Sequence, residues 1–248
     1  MITKAEIKLV RSLADRRARE EHGLFVAEGE KIIGELLDSH LHVTKIYATD
    51  DAFRGRSDVC RVSAAEMERL SMLKTANNSL ATVEIPRSSF SLGAARKGLV
   101  LALDDVSNPG NMGTLIRLAD WFGIEDVICT PSSADCFNPK VVQATMGAII
   151  RVRVHCLNLA QLLAEAQTEG VPVYGTFLEG EDIRRAELSH NGIIVMGNEG
   201  RGISEACAAS ISRRLFIPPY PADRRGSESL NVSTAAAIVC AEFRRRNG

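Results

Sequence analysis

The feature that most limits the fold is the alternation that begins at residue 99. Six short stretches, 99–103, 126–129, 149–154, 171–176, 193–196 and 215–217, are nearly all apolar and read as strands. Helices are predicted between and after them at 114–122, 139–146, 159–167, 204–211 and 230–246. A strand with one wet face alternates apolar with polar residues. A strand apolar throughout is buried on both faces, as in parallel sheets. The pattern therefore predicts an α/β domain with a parallel sheet covered by helices on both sides.

The residues before 99 suggest a smaller α/β unit. Ile7, Val10, Leu13 and Ala14 recur at helical spacing, in a helix expected to end near His22-Gly23. Strands are predicted at 24–27, 43–48 and 80–85, and a helix at 29–38. Ser63 with Glu66 has the spacing of a capping box at the start of another helix. The run Pro86-Arg-Ser-Ser-Phe-Ser-Leu-Gly93 then breaks the periodicity. The predicted division is a first domain over 1–90, a linker over 91–97 and a second domain over 98–248.

Composition narrows the functional classes. The chain has 248 residues, 45% of them hydrophobic, enough for a substantial core. The net charge is -1, so no global basic field marks nucleic acid as a partner. The basic clusters Arg16-Arg17, Arg213-Arg214, Arg224-Arg225 and Arg244-Arg245-Arg246 read, one by one, as solvated faces or helix ends. Six cysteines show neither Cys-x-x-Cys pairing nor a zinc-like spacing with histidine, so no metal is expected. With no signal peptide or membrane-length apolar run in view, the expected setting is a reducing cytoplasm, away from membranes.

Three polar turns, the first two glycine-bearing and the third preceded by Gly226, each leave an apolar strand and enter a helix. Asn108-Pro-Gly-Asn-Met-Gly113 follows the first strand of the second domain, and Gly197-Asn-Glu-Gly-Arg-Gly202 follows the fifth. The third, Ser227-Glu-Ser-Leu-Asn-Val-Ser-Thr-Ala235, opens the last helix. In an open α/β sheet such turns collect at the carboxyl edge of the strands, where ligands bind. Asn111 and Arg117 are expected to lie near one another, being less than two helical turns apart. Arg117 stands early in its helix, against the positive dipole end. Either it pairs with Asp104, Asp105 or Asp120, or it has a task in the site. The second turn has the order Gly-x-x-Gly-x-Gly, not the Gly-x-Gly-x-x-Gly of dinucleotide folds, and the chain has no Walker lysine motif. It is either a plain surface turn or a place where bare main chain meets a ligand.

Taken together and in order, these segments resemble the three motifs of the SpoU/TrmH branch of the SPOUT RNA methyltransferases. The matching stretches are Asn108-Pro-Gly-Asn-Met-Gly-Thr-Leu-Ile-Arg117, Ile194-Val-Met-Gly-Asn-Glu-Gly-Arg-Gly-Ile-Ser204, and Ile217-Pro-Pro-Tyr with Glu228-Ser-Leu-Asn-Val-Ser-Thr-Ala-Ala-Ala237. Leu24-Phe-Val-Ala-Glu-Gly-Glu-Lys31 is similar to the family's accessory L30e-like substrate-binding domain. The resemblance implies methyl transfer from S-adenosylmethionine to a ribose 2′-hydroxyl of RNA, with ribosomal RNA favoured over transfer RNA. It also implies a trefoil-knotted sheet domain and a homodimer whose site lies at the subunit interface. Arg117 matches the arginine that acts on the hydroxyl, and Asn111, Glu199, Ser229 and Asn231 match the other polar positions. Thr176, Phe177, Leu178, Met196, Gly197, Asn198, Gly200, Ile217 and Leu230 match the cofactor pocket. In the first domain Arg11, Arg16, Arg17, Lys31 and Lys74 are the candidates for gripping RNA. One departure from the pattern is the polar stretch Pro221-Ala-Asp-Arg-Arg-Gly-Ser-Glu228 in the third motif. The competing reading is an RNA-binding or ribosome-assembly protein with an inactive methyltransferase domain. It has no need of the polar set that this chain keeps.

Overall fold

The computed structural model describes residues 2–221 and 229–247, which form two compact units. The first comprises residues 1–87 together with 135–150, and the second 88–134 with 151–248. A two-part division was expected, but not the return of 135–150 to the first unit.

The first unit contains α1 (Lys4–Ser12), α2 (Arg16–His22), β1 (Leu24–Glu28), α3 (Glu30–Leu37), β2 (Val43–Ala48), β3 (Val59–Arg61), α4 (Ala64–Leu70) and β4 (Ser79–Glu84). The single N-terminal helix expected from the apolar spacing is two helices. Asp15 ends the first run by accepting hydrogen bonds from the N–H groups of Arg17 and Ala18, which caps the second. The capping box of α4 forms as its spacing requires. The sheet has the order β1-β4-β2-β3, with β4 antiparallel to both neighbours. Val26, Tyr47 and Leu80 pack on one face with Val10, Leu13, Met67 and Leu70 of the surrounding segments.

Residues 135–150 complete this unit with the helix Pro139–Thr145, α7 by its place in the chain, and a 3-10 turn, Ala148–Ile150. The ring centroids of Phe137 and Phe25 lie 4.9 Å apart. Arg19, 2% exposed, donates to the carbonyl of Leu13 at 2.6 Å and is paired with Asp135. Residues 149–150, expected to begin a strand, belong to the turn, and the strand starts at Arg153.

The second unit contains α5 (Gly93–Lys97), β5 (Leu99–Leu103), α6 (Pro109–Trp121), β6 (Asp126–Cys129), β7 (Arg153–Cys156), α8 (Leu159–Thr168), β8 (Val173–Phe177), β9 (Glu181–Asp182), β10 (Gly192–Met196), α9 (Glu205–Ala208), β11 (Arg213–Phe216) and α10 (Val232–Asn247). The stretch expected to be a linker holds α5 instead, with Leu92 and Ala95 buried in the core. The seven strands run in the order β7-β6-β5-β10-β8-β11-β9, and every neighbouring pair is parallel. Residues alternate across such a sheet. Val100, Ala102, Ile128, Val173, Ile193 and Val195 meet Ala95, Leu163, Ala166 and Cys207 of α5, α8 and α9 on one face. On the other, Tyr174 packs edge-on against Phe243 of α10, with 4.9 Å between centroids.

Among the described residues no helix is long and apolar enough to cross a membrane. No group of metal-ligating side chains occurs among them.

Candidate active site

Because all seven strands run the same way, the segments that follow β5, β8, β10 and β11 emerge at one edge of the sheet. The chain builds outward from β5 to β6 and β7, then returns to β8, with β10 laid between β5 and β8. Such a reversal of strand order opens a crevice at the carboxyl edge. All the candidate catalytic and cofactor residues belong to this second unit.

Asn108 ends the extended segment after β5 and caps α6, its Oδ1 accepting from the N–H groups of Gly110 (2.8 Å) and Asn111 (3.1 Å). Pro109 at the first helical position gives up no needed donor. The cap fixes Asn111, whose Nδ2 donates to Glu199 Oε1 at 2.7 Å. Asn111 Oδ1 in turn accepts from Asn231 Nδ2 at 3.1 Å. Asn231 caps α10, accepting from the N–H groups of Ser233 (2.9 Å) and Thr234 (3.4 Å). Glu199, Asn111 and Asn231, drawn from three separate turns, are therefore one hydrogen-bonded chain. Ser233 joins it, its hydroxyl donating to the Asn111 carbonyl at 3.4 Å. The sequence reading missed Ser233. Its signal was the Asn231-Val-Ser spacing at the helix start, which brings the second helical position back over the cap.

Two expected members stand apart. Ser229 is exposed, with no hydrogen bond to this set among the described residues. Arg117 is also exposed and forms no hydrogen bond with Asn111, whose side chain is engaged by Glu199 and Asn231. Six residues on a helix leave two side chains about 120° apart around the axis, so the short rise between them does not by itself bring them together. Nor does Arg117 take the pairings considered for it among the described residues. Asp105 is paired with Arg201, Asp120 with Arg151 at 2.8 Å, and the buried Asp104 accepts from the Ser204 N–H at 2.7 Å.

The cofactor candidates line the ends of β8, β10 and β11. Thr176 Oγ1 donates to Met196 Sδ at 3.7 Å, tying two of those ends together. The Asn198–Gly202 turn folds back so closely that a Cβ on Gly197 would lie 2.2 Å from the carbonyl carbon of Gly202. Only glycine fits there, so the turn closes on itself main chain to main chain. The Phe177 ring is packed within the sheet's own neighbourhood. It lies over Gly175, where a Cβ would come within 2.8 Å of the ring, and Arg214 stacks on it at 3.6 Å from the centroid. Leu178 and Leu230 are 66% and 49% exposed at the same edge. Exposed leucines beside close-approaching main chain suit a ligand with apolar and hydrogen-bonding parts. The polar stretch 222–228 lies outside the described residues.

The SpoU rRNA methylase family model matches residues 98–241, more than half of the chain. The chain belongs to the SpoU rRNA methylase family. A second model, the MRM3-like substrate-binding domain, matches residues 4–81 of this SpoU-family chain. The 23S rRNA (guanosine(2553)-2′-O)-methyltransferase RlmP of Bacillus subtilis is 32% identical over 246 residues, which cover 96% of each chain. A TrmH-family protein from Porphyromonas gingivalis has a structure similar to this one with a TM-score of 0.88 and 39% identity, over 99% of each chain. An AdoMet-bound rRNA methyltransferase from Sinorhizobium meliloti superposes with a TM-score of 0.85 at 26% identity, over 99% of this chain and 96% of that one. The tight glycine turn and exposed leucines of this chain's edge fit a ligand of the kind that the Sinorhizobium meliloti protein binds.

Proposed function

We propose that this chain methylates a ribose 2′-hydroxyl of ribosomal RNA, using S-adenosylmethionine. The observation that carries the reading is the chain Glu199–Asn111–Asn231, locked by hydrogen bonds of 2.7 and 3.1 Å across three turns at the carboxyl edge of the sheet. A protein that only bound RNA would have no need to interlock those turns, which argues against the inactive-assembly reading. When bound, the cofactor supplies an electrophilic methyl group on a sulfonium that leaves without acid assistance. The protein must then hold the hydroxyl in line and stabilise the oxygen as its proton departs.

Arg117 is the residue for the oxygen. A guanidinium offers five donors and no acceptor, so its task is to orient the ribose or a neighbouring phosphate and to stabilise developing negative charge. Within one protomer it is exposed and forms no hydrogen bond with Asn111, and the reading includes a homodimer in which Arg117 of one copy serves the crevice of the other. Three features support this. Arg117 is exposed, Trp121 one turn further along α6 is 83% exposed, and Ile238 on α10, which packs against α6, is 39% exposed. The trefoil knot belongs to the same proposal, supported by the insertion of β10 between β5 and β8.

In the first unit Arg17, Lys31 and Lys74 are exposed and available to phosphates. Arg11 donates to the Ser71 carbonyl, and Arg16 pairs with Glu20 at 2.8 Å. Of the five RNA candidates, we therefore assign RNA contact first to Arg17, Lys31 and Lys74. Phosphate contacts would position the RNA without reading its sequence. A cytoplasmic setting goes with this substrate and with cysteines that are not joined in disulfides among the described residues.

The test is incubation of purified protein and S-adenosylmethionine with protein-free ribosomal RNA, followed by nucleoside analysis. One 2′-O-methylnucleoside is expected. Methyl transfer to a base, or none to any RNA, would refute the reading.

A further inference from the structure

We infer that Asp105 is a positioning residue for methyl transfer. It holds the Asn198–Gly202 turn in the conformation that presents Glu199 to Asn111. The inference rests on the reading above and names what sets the geometry of that site. Asp105 stands two residues beyond the end of β5 with φ 58°, in the left-handed region that non-glycine residues avoid. Aspartate is among the few that enter it, and such a conformation persists only where its surroundings impose it.

Here they do. The Asp105 N–H donates to Thr130 Oγ1 at 2.9 Å. Its carbonyl accepts from Asn198 Nδ2 at 2.8 Å, and its Oδ2 accepts from the same nitrogen at 3.2 Å. That oxygen is also paired with Arg201. The left-handed backbone turns carbonyl and carboxylate to one side, so that both reach a single amide. The far end of Asn198 is equally committed, its Oδ1 accepting from the N–H groups of Gly200 (2.9 Å) and Arg201 (3.1 Å). The main chains of Asn198 and Gly202 exchange two further bonds of 2.9 Å. Glu199 is thus carried inside a turn whose grip on the body of the domain passes through Asp105. None of these bonds lies within a strand ladder or a helix, and none is needed to finish one. What they fix is the direction in which Glu199 leaves the turn.

Asp105→Gly separates strain from grip. Glycine takes φ 58° freely and keeps the carbonyl for Asn198, but it lacks the carboxylate. Asp105→Asn tolerates the same backbone and loses the charge that holds Arg201. For Asp105→Gly the account expects methyl transfer to fall at least about tenfold, as for a misplaced catalytic group. The melting temperature should stay within about 3 °C of the parent. Amide hydrogen exchange at 198–202 should quicken at least about tenfold, because an opened turn exchanges faster. Adding Asp105→Gly to Glu199→Gln should cost less than about twofold more, since residues that act as a unit are not additive. Asp105→Asn should show the same pattern at smaller amplitude.

Unchanged transfer and exchange in Asp105→Gly would overturn the inference. So would a loss of transfer that only follows the folded fraction, or full additivity with Glu199→Gln. If the unaltered protein methylates no RNA, the functional reading fails instead, and the exchange rates at 198–202 still decide whether Asp105 holds the turn.

Discussion

Gly197 and Arg117 set the two demands of the site, one for space and one for charge. At Gly197→Ala the new methyl would lie 2.2 Å from Gly202, so the turn must move. Cofactor affinity measured by calorimetry is expected to fall at least about tenfold, because a shifted main chain no longer meets the ligand. Arg117→Lys keeps a positive charge and loses the planar fork. Turnover is expected to fall about 100-fold or more, the scale of a lost charge-stabilising donor, with cofactor affinity unchanged. Near-normal turnover by that variant would reject the assigned role. A third residue sets acid sensitivity. Burial alone would raise the pKa of Asp126, but its hydrogen bonds to Arg153 (2.7 Å) and His155 (2.8 Å) outweigh that and hold it below the ordinary carboxylate value. A lowered folded-state pKa contributes stability that is present above the unfolded value, about 3.9, and lost as pH falls through the folded one. Urea unfolding of Asp126→Asn should therefore lose less stability than the parent between about pH 4 and pH 2.

At the scale of elements, Arg19 and Arg244 show how the basic clusters are used. Arg244 donates to the carbonyls of Phe122 (2.7 Å) and Gly123 (3.1 Å), where it caps the negative end of α6. Arg19 is buried against Asp135. Arg19→Ala would leave that carboxylate without its partner, and a loss of about 3 kcal/mol is expected in chemical denaturation. Much of this level was legible in the sequence. Buried parallel strands are continuous apolar runs, and caps such as Ser63–Glu66 and Asn108 are local chemistry. The three turns stood out because their glycines and amides would be wasted on packing alone. Less legible was whatever depends on distant partners. The segment before α7 looks ordinary, and nothing in Asp135 or Phe137 says that Arg19 and Phe25 await them in the first unit. The stretch 91–97 read as a linker because helix α5 is only five residues long and follows a proline-serine run. Arg117 was expected near Asn111 from their rise along the helix, while the turn of the helix separates them. Asp105 carried no mark beyond an acidic pair after an apolar run, since a left-handed backbone is set by bonds to Thr130 and Asn198 far along the chain.

At the scale of the whole molecule, residues 135–150 complete the first unit although they lie in the chain between two stretches of the second. A fragment of residues 98–248 is expected to bind S-adenosylmethionine and to methylate RNA poorly. Its residues 135–150 should exchange their amide hydrogens rapidly, because the partners of α7 are missing. Full methyl transfer by that fragment would show that residues 1–97 have no part in substrate binding. The central claim, that the crevice edge delivers a methyl group to a ribose of ribosomal RNA, is tested most directly by mapping 2′-O-methylation across total RNA from cells with and without the gene. The account predicts that one ribosomal nucleotide loses its ribose methyl group in the absence of the gene and regains it with the unaltered gene, but not with Arg117→Lys. An identical map in both strains, or a change confined to base methylation, would contradict it.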